Sequence, residues 1–333
     1  MTEISLLDLA PIVEGGDAAG ALSASLTLAR KAEALGFRRF WMAEHHNMPG
    51  VASAATAVAL AHVAAGTQTI RIGAGGVMLP NHAPLVIAEQ FGTLAALHPG
   101  RVDLGLGRAP GTDPFTSRAL RRRLQGDADR FPEDVVELLH FLQPASPQQA
   151  VRAIPGAGAD AEVWILGSSL FGAQLAAALG LPFAFASHFA PAQLDQALQI
   201  YRQAFQPSMR LSRPRVMAAL TVIAADSDAE AAWLSSSLKQ AFVALRSGRP
   251  GPLPPPMENY DASLGPEAQA VLNHTLSCAV IGGPASVRAG LARFAKRTQA
   301  DELIVAVSMF DLNARLRSLE LIAAAGDGRD HAA

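Results

Sequence analysis

Short apolar runs alternate with longer stretches of helical periodicity along most of the chain. Residues 4–9 read as a first strand. Residues 20–35 follow with Leu22, Leu26, Ala29, Ala32 and Leu35 at helical spacing, and Gly36 marks the stop. The same alternation predicts strands over 39–43, 70–75 and 102–107, separated by helices over 54–65 and 84–97. Pro84 opens the second of these helices and His98-Pro99-Gly100 closes it. Strands and helices alternating at this spacing indicate βαβ units and a parallel sheet.

The rhythm breaks over residues 108–160, rich in Pro, Gly, Arg and Gln, with one helix predicted over 132–142. We read this segment as an insertion after the fourth strand. Strands are then predicted over 163–166, 183–187, 216–224 and 302–307, with a further short one over 279–281. Helices are predicted over 171–179, 191–205, 228–246, 267–276, 284–297 and 315–325. The proline-rich stretch 248–256 continues neither element type, and the wider loop 248–265 is expected to be mobile. The pattern leaves room for eight alternating strands. Eight parallel strands close into a barrel, whereas five to seven more often form an open doubly wound sheet.

Half of the 333 residues are hydrophobic, enough for a large core. A formal net charge of −2, with 17% charged residues, provides no basic stripe for a nucleic-acid partner. The run Arg121-Arg122-Arg123 is short and reads as a solvated helix face. The one cysteine, Cys278, rules out an intramolecular disulfide and fits a reducing compartment. The first residues lack the basic and then apolar pattern of a secretory leader, and no run reaches the roughly 18 apolar residues that span a bilayer. These features point to a soluble cytoplasmic protein with neither a nucleic-acid nor a membrane partner.

In parallel α/β folds the ligand sits beyond the carboxyl ends of the strands. Glu44-His45-His46-Asn47 follows the second predicted strand, and Gly75-Gly76 with Asn81-His82 follows the third. Gly107-Arg108 and Gly111-Thr112-Asp113 follow the fourth, Gly167-Ser168-Ser169 the fifth, and His188 the sixth. Each group also has a plainer reading. Adjacent histidines can be one buried and one solvated. As metal ligands they leave a strand in opposite directions, and no HxH or HExxH spacing is present, so no metal site is expected. Gly75-Gly76 either relieves crowding or admits a planar ligand close to the backbone. Arg108 is either a surface residue of the insertion or an anion clamp. Gly167-Ser168-Ser169 before a helix is either an ordinary serine cap or a phosphate cradle built from hydroxyls and free helical N–H groups. The glycines at 105, 107 and 111 have GxGxxxG spacing, and Pro110 and Pro114 oppose an immediate helix, so a dinucleotide fingerprint is rejected. No P-loop and no GxSxG elbow occurs.

These same segments resemble the bacterial-luciferase-like flavin-dependent oxidoreductases, closest to the subgroup described as luciferase-family oxidoreductases or alkanal-monooxygenase-like proteins. The matching stretches are LLDLAPIVEG (6–15), FWMAEHHNMPGVAS (40–53), residues 70–113, WILGSSLFGAQLAAALGLPFAFASHFAP (164–191) and residues 280–305. They span essentially the whole chain. The resemblance implies an α/β fold, a luciferase-like (β/α)8 TIM barrel over residues 1–333, binding FMN and usually forming a homodimer. It implies that His45 is the active-site histidine near the reactive edge of the flavin, with His188 lining the same cavity. Gly75-Gly76 match the pair that forms a non-proline cis peptide against the isoalloxazine ring. Arg108, Gly167, Ser168 and Ser169 match segments that hold the flavin phosphate.

The activity implied is oxidation of a small aldehyde- or ketone-like substrate by reduced FMN and O2, through a flavin C4a-peroxide. His45 then acts as general base or hydrogen-bond donor to the oxygen adduct. The chain shows no second nucleotide-binding domain, so a separate NAD(P)H-dependent flavin reductase is the expected partner. Residues 108–160 and 248–265 are expected to cover the cavity. Luciferase subunits carry alanines at the positions of Gly75 and Gly76, cysteine at Gly107 and glutamate at Ser168, so light emission is not implied. The alternatives are an F420-dependent reductase or dehydrogenase on the same fold, a non-catalytic flavin-binding protein, and an unrelated barrel enzyme acting on phosphorylated metabolites. An apolar face on the second and third helices (Ala55, Val58, Ala59, His62; Val86, Ile87, Gln90) reads equally as a dimer seam and as barrel packing.

Overall fold

The computed structural model describes residues 2–109, 114–120 and 130–327; residues 111–113 and 121–123, singled out above, lie outside the described residues. The elements of the first half are β1 (Glu3–Asp8), α1 (Ala18–Ala34), β2 (Arg39–Met42), α2 (Thr56–Ala65), β3 (Arg71–Met78), α3 (Pro84–Leu97), β4 (Val102–Gly107), α4 (Pro114–Leu120) and α5 (Phe131–Phe141). The second half continues with β5 (Ala161–Gly167), α6 (Leu170–Leu179), β6 (Phe183–Phe185), α7 (Leu194–Ala204), β7 (Val216–Ala224), α8 (Asp228–Arg246), α9 (Tyr260–Ser263), α10 (Pro266–Thr275), β8 (Val280–Gly282), α11 (Pro284–Thr298), β9 (Glu302–Ala306) and α12 (Leu312–Asp327). No helix among the described residues is long and apolar enough to cross a membrane.

Strands β1 to β7 pair in parallel in chain order, and β9 joins β7 back to β1. The result is a closed eight-strand parallel barrel wrapped in helices, the TIM architecture. The short strand anticipated at 279–281 is present as β8 but is not a stave. Strand β7 is nine residues long, and its length explains this. Met217–Thr221 pair with β9, and only the overhanging Val222–Ala224 pair with β8.

Other boundaries shift for local reasons. Helix α1 begins at Ala18 because the Asp17 carboxylate accepts the Gly20 N–H at 2.8 Å. Helix α7 is preceded by a 3-10 turn, Pro191–Gln193. The third strand does not stop at Gly75. Ala74 pairs with Leu104 and Val77 with Leu106, so Gly75 and Gly76 together oppose Gly105 in a bulge, and the strand runs on to Met78.

The lumen is filled in layers. On β2 the alternating Arg39, Trp41 and Ala43 point inward. On β5 these are Glu162, Trp164 and Leu166, and on β9 Glu302 and Ile304. At the amino end lies an ionic layer. Arg39, fully buried, sits 2.7 Å from Asp103, 2.8 Å from Glu162 and 2.9 Å from Glu302. Arg71 pairs with Asp103 at 2.5 Å and Arg215 with Glu162 at 2.6 Å, while Ser5 donates to Glu302. Burial opposes the charge on Arg39, but Asp103, Glu302 and Glu162 outweigh it and hold the guanidinium firmly protonated. Burial likewise pushes the Glu162 carboxyl up, and Arg39 and Arg215 pull it below the usual carboxylate range.

Above the ions, Trp41 and Trp164 meet edge to face at 5.6 Å, and Trp41 Nε1 donates to Asp103 at 2.9 Å. A Cβ at Gly75 would stand 2.9 Å from the Trp41 ring, and one at Gly76 would stand 2.7 Å from the Gly105 carbonyl oxygen. The glycine pair is therefore required by the packing of the barrel itself. The next inward residues on β2, β6 and β7 are small: Ala43, Ala184 and Ala219. The lumen is filled by large side chains at its amino end and by small ones toward its carboxyl end.

Replacing Arg39 by Met leaves three carboxylates without their shared cation. We expect a loss of about 3–5 kcal/mol in unfolding free energy, read as a lower urea midpoint. A loss below about 1 kcal/mol would show that Arg71 and Arg215 take over its role.

Candidate functional site

The residues selected from the sequence that the structure describes lie at the carboxyl mouth, on five consecutive staves. His45 follows β2, Gly75 and Gly76 form the bulge in β3, and Arg108 follows β4. Gly167, Ser168 and Ser169 end β5 and open α6, and His188 follows β6. The Gly75-Gly76 peptide is cis, as the resemblance implied.

The structure joins these residues into two groups. In the first, the Arg108 guanidinium lies over the Phe171 ring, 4.2 Å from its centroid. Phe171 is the second residue of α6, so the cation stands beside the start of that helix. Ser169 occupies the N-cap position, yet its side chain makes no capping hydrogen bond. The plain serine-cap reading therefore does not apply: Ser169 does not accept from the first N–H groups of α6. The helices following β7, β8 and β9 differ. Ser227 accepts Glu230 N–H at 3.1 Å for α8, Asp228 accepts Gly283 N–H at 2.6 Å at the start of α11, and Asp311 accepts Ala314 N–H at 2.8 Å for α12. A positive helix end already facing a carboxylate repels an anionic ligand. The start of α6 has a cation, Arg108, beside it instead.

The second group holds the histidines. His188 Nδ1 is shielded from solvent and has no hydrogen-bond partner among the described residues. Burial first, and then the neighbouring His45, lower the His188 imidazole to about 4. It is therefore uncharged at neutral pH. Strands β2 and β6 are not adjacent in the ring, so the two histidines face each other across the mouth.

A residue that sequence reasoning left without a role ties these elements together. Glu44 is buried, and its Oε1 lies 2.8 Å from Nε2 of both His46 and His82. Its Oε2 accepts the Met78 N–H at 3.2 Å, immediately beyond the β3 bulge. Burial pushes this carboxyl up, but the two imidazoles and the amide outweigh it and hold it below the usual carboxylate range. Glu44, His46 and His82 are the metal-ligand side chains that gather among the described residues. Their spacing is that of hydrogen bonds, and they satisfy one another as such. The signal available in the sequence was an acidic residue at the end of a wholly buried strand.

Residues 248–257 cross this end of the barrel. Leu253 N–H donates to Ile12 at 2.7 Å and Glu14 N–H to Leu253 at 2.9 Å, beyond β1. Met257 N–H donates to Ser236 Oγ at 2.7 Å. Arg246, at the end of α8, lies 5.6 Å from the Phe189 ring beside His188.

Comparison with known proteins agrees with this geometry. The family described as luciferase-like monooxygenase matches residues 2–302. A luciferase-like monooxygenase of Escherichia coli (strain K12) is 56% identical over 317 residues, 95% of each chain. An N-acetyl-S-alkylcysteine monooxygenase of Bacillus subtilis (strain 168) is 37% identical over 254 residues, 75% of each chain. The crystal structure of apo-MsnO8 superimposes with a TM-score of 0.91 at 35% identity, covering 98% of this chain and 99% of the other.

Glu44→Gln removes the charge and turns an acceptor into a donor against an N–H. A carboxyl depressed in the folded state contributes stability above its unfolded value of 4.5, and that stability is lost as pH falls through the folded value. The variant should be less stable by about 1.5–3 kcal/mol near pH 7. The gap should close on acidification, measured by thermal unfolding at several pH values. A gap independent of pH would refute the clamp.

Proposed function

The chain belongs to the luciferase-like monooxygenase family, and we propose that it is an FMN-dependent monooxygenase acting on a small aldehyde- or ketone-like substrate. The observation that carries this reading is the division of the mouth. A cation and a helix start that its serine does not cap stand beyond β4 and β5, with His45 beyond β2 and the uncharged His188 beyond β6 on either side of them, and the bulge of small residues on β3. That is the outline of a flavin mononucleotide, anionic at one end and planar and apolar at the other. When bound, reduced FMN supplies the two electrons with which O2 gives one oxygen atom to the substrate and the other to water.

The chain's own residues then have distinct tasks. Arg108, Ser168, Ser169 and the first N–H groups of α6 would hold the phosphate. Gly75, Gly76 and Gly167 let the backbone approach the ligand, with no side chain in the way. His45 would move the proton at the reacting oxygen. His188, uncharged, would line the same cavity without adding a positive charge. Residues 248–257, with the segment 108–160, would exclude water, which matters because reduced-oxygen species are otherwise lost by hydrolysis. A separate NAD(P)H-dependent flavin reductase would deliver the reduced cofactor. The capped starts of α8, α11 and α12 weigh against a barrel enzyme that binds phosphate after its last strands.

Anaerobic titration with reduced FMN and with reduced F420, followed by mixing with O2, tests the reading. Tight FMN binding with O2-dependent flavin reoxidation is expected. Preference for F420 and indifference to O2 would replace it with a hydride-transfer enzyme. Arg108→Ala should weaken FMN by roughly ten- to a hundredfold, in line with a charged hydrogen bond, and leave riboflavin unchanged. Equal losses for the two flavins would remove Arg108 from the phosphate site.

The same reading includes a homodimer through α2 and α3. Ala59 and Ile87 turn out to pack inward, but Val58 is 73% exposed and Val86 43%. Val58→Asp should shift the mass in light scattering from dimer to monomer. A dimer that survives the change would place the seam elsewhere.

A further inference from the structure

We propose that Phe171 is a positioning residue for the cofactor's phosphate, its ring serving as the platform that fixes Arg108. This rests on the FMN reading above and adds to it a residue that neither the sequence pattern nor the family resemblance singles out. The guanidinium carbon of Arg108 is 4.2 Å from the ring centroid, nearer than in the other arginine–aromatic contacts of the chain, at 5.0, 5.1 and 5.6 Å.

Arg39 and Arg215, which also lie against an aromatic ring, are held by buried carboxylates as well. Arg108 is not: among the described residues the Phe171 ring is its recorded partner. A guanidinium is planar and carries its donors around its edge. A ring against its face satisfies the cation without using any of those donors. Stacking therefore fixes the plane of the group and keeps the whole fork available for an anion.

The platform is itself rigid. Phe171 is partly buried and packs against the main core cluster. It stands on the first turn of α6, the same turn whose N–H groups lack a side-chain cap. One side chain thus couples the end of β4, which carries Arg108, to the start of the helix that follows β5. An unstacked arginine on an exposed loop would give up rotamer freedom each time an anion bound. With the stack, that ordering precedes binding.

The test measures dissociation constants for oxidised FMN and riboflavin by quenching of flavin fluorescence, with the full chain. Its variants are Phe171→Leu, Phe171→Trp, Arg108→Ala and the Arg108→Ala/Phe171→Leu double variant. Thermal unfolding reports on folding. Phe171→Leu should weaken FMN about fivefold and leave riboflavin within about twofold of wild type. Phe171→Trp, which keeps an aromatic face, should retain FMN binding. In the double variant Phe171→Leu should add nothing to the loss from Arg108→Ala. Equal weakening of both flavins by Phe171→Leu, an unchanged FMN affinity, or additive losses in the double variant would each overturn the proposal. If Arg108→Ala is selective for FMN and Phe171→Leu is not, the platform alone is wrong. If Arg108→Ala is itself unselective, the phosphate reading fails and the platform with it.

Discussion

Arg39 is the side chain on which the barrel closes. Eight staves direct alternate residues into one lumen, and that lumen must be filled without leaving a charge unpaired. One guanidinium from β2 reaches acids on β4, β5 and β9, so opposite walls are held by a single group. Three arginines face three carboxylates in this layer, which leaves it formally neutral. Arg39 Nη2 has no hydrogen-bond partner among the described residues, and the Trp164 ring lies 5.1 Å from the guanidinium carbon. The ionic layer fixes the depth of the tryptophan pair, and the tryptophans fix where glycine is obligatory on β3. By the level of Ala43, Ala184 and Ala219 the inward side chains have become small, while below them the lumen is filled. The location of the site follows from how the opposite end is packed.

Glu44 carries that constraint into the mouth. It follows directly on the strand that carries Arg39 and Trp41, which fixes where it starts. From there its carboxylate holds a neighbour two residues on, a histidine beyond β3 and the amide that follows the bulge. His45 lies between Glu44 and His46, so the turn that presents it cannot move independently of the Gly75-Gly76 bulge. A catalytic geometry must hold to fractions of an ångström. Here it is secured by a buried charge whose three hydrogen bonds come from two different strand ends.

Much of this was legible in the sequence, and the parts that were not share a cause. Alternation of short apolar runs with helical periodicity located all eight staves, since each is continuous in the chain. The resemblance, read from long segments, supplied closure and the cis Gly75-Gly76 bond. What periodicity missed depends on residues far apart. Gly75-Gly76 read as a strand end, because a bulge is defined only against Gly105 on the neighbouring strand. Residues 279–281 read as a stave, because only the length of β7 shows that they pair outside the barrel. Glu44 and Phe171 could be seen but not interpreted, since their partners, His82 and Arg108, lie 38 and 63 positions away.

The charges of the mouth are partitioned as the chemistry requires. A cofactor with an anionic tail needs positive potential, but an oxygen-transferring centre close to the same cation would have its proton transfers biased by that charge. In this chain the charges of the mouth differ from stave to stave. Positive potential is concentrated at β4 and β5, in Arg108 and the start of α6. At β6 the imidazole of His188 is kept uncharged by burial and by the facing His45. At β2 the carboxylate of Glu44 is turned away from the mouth and spent on two imidazoles and an amide.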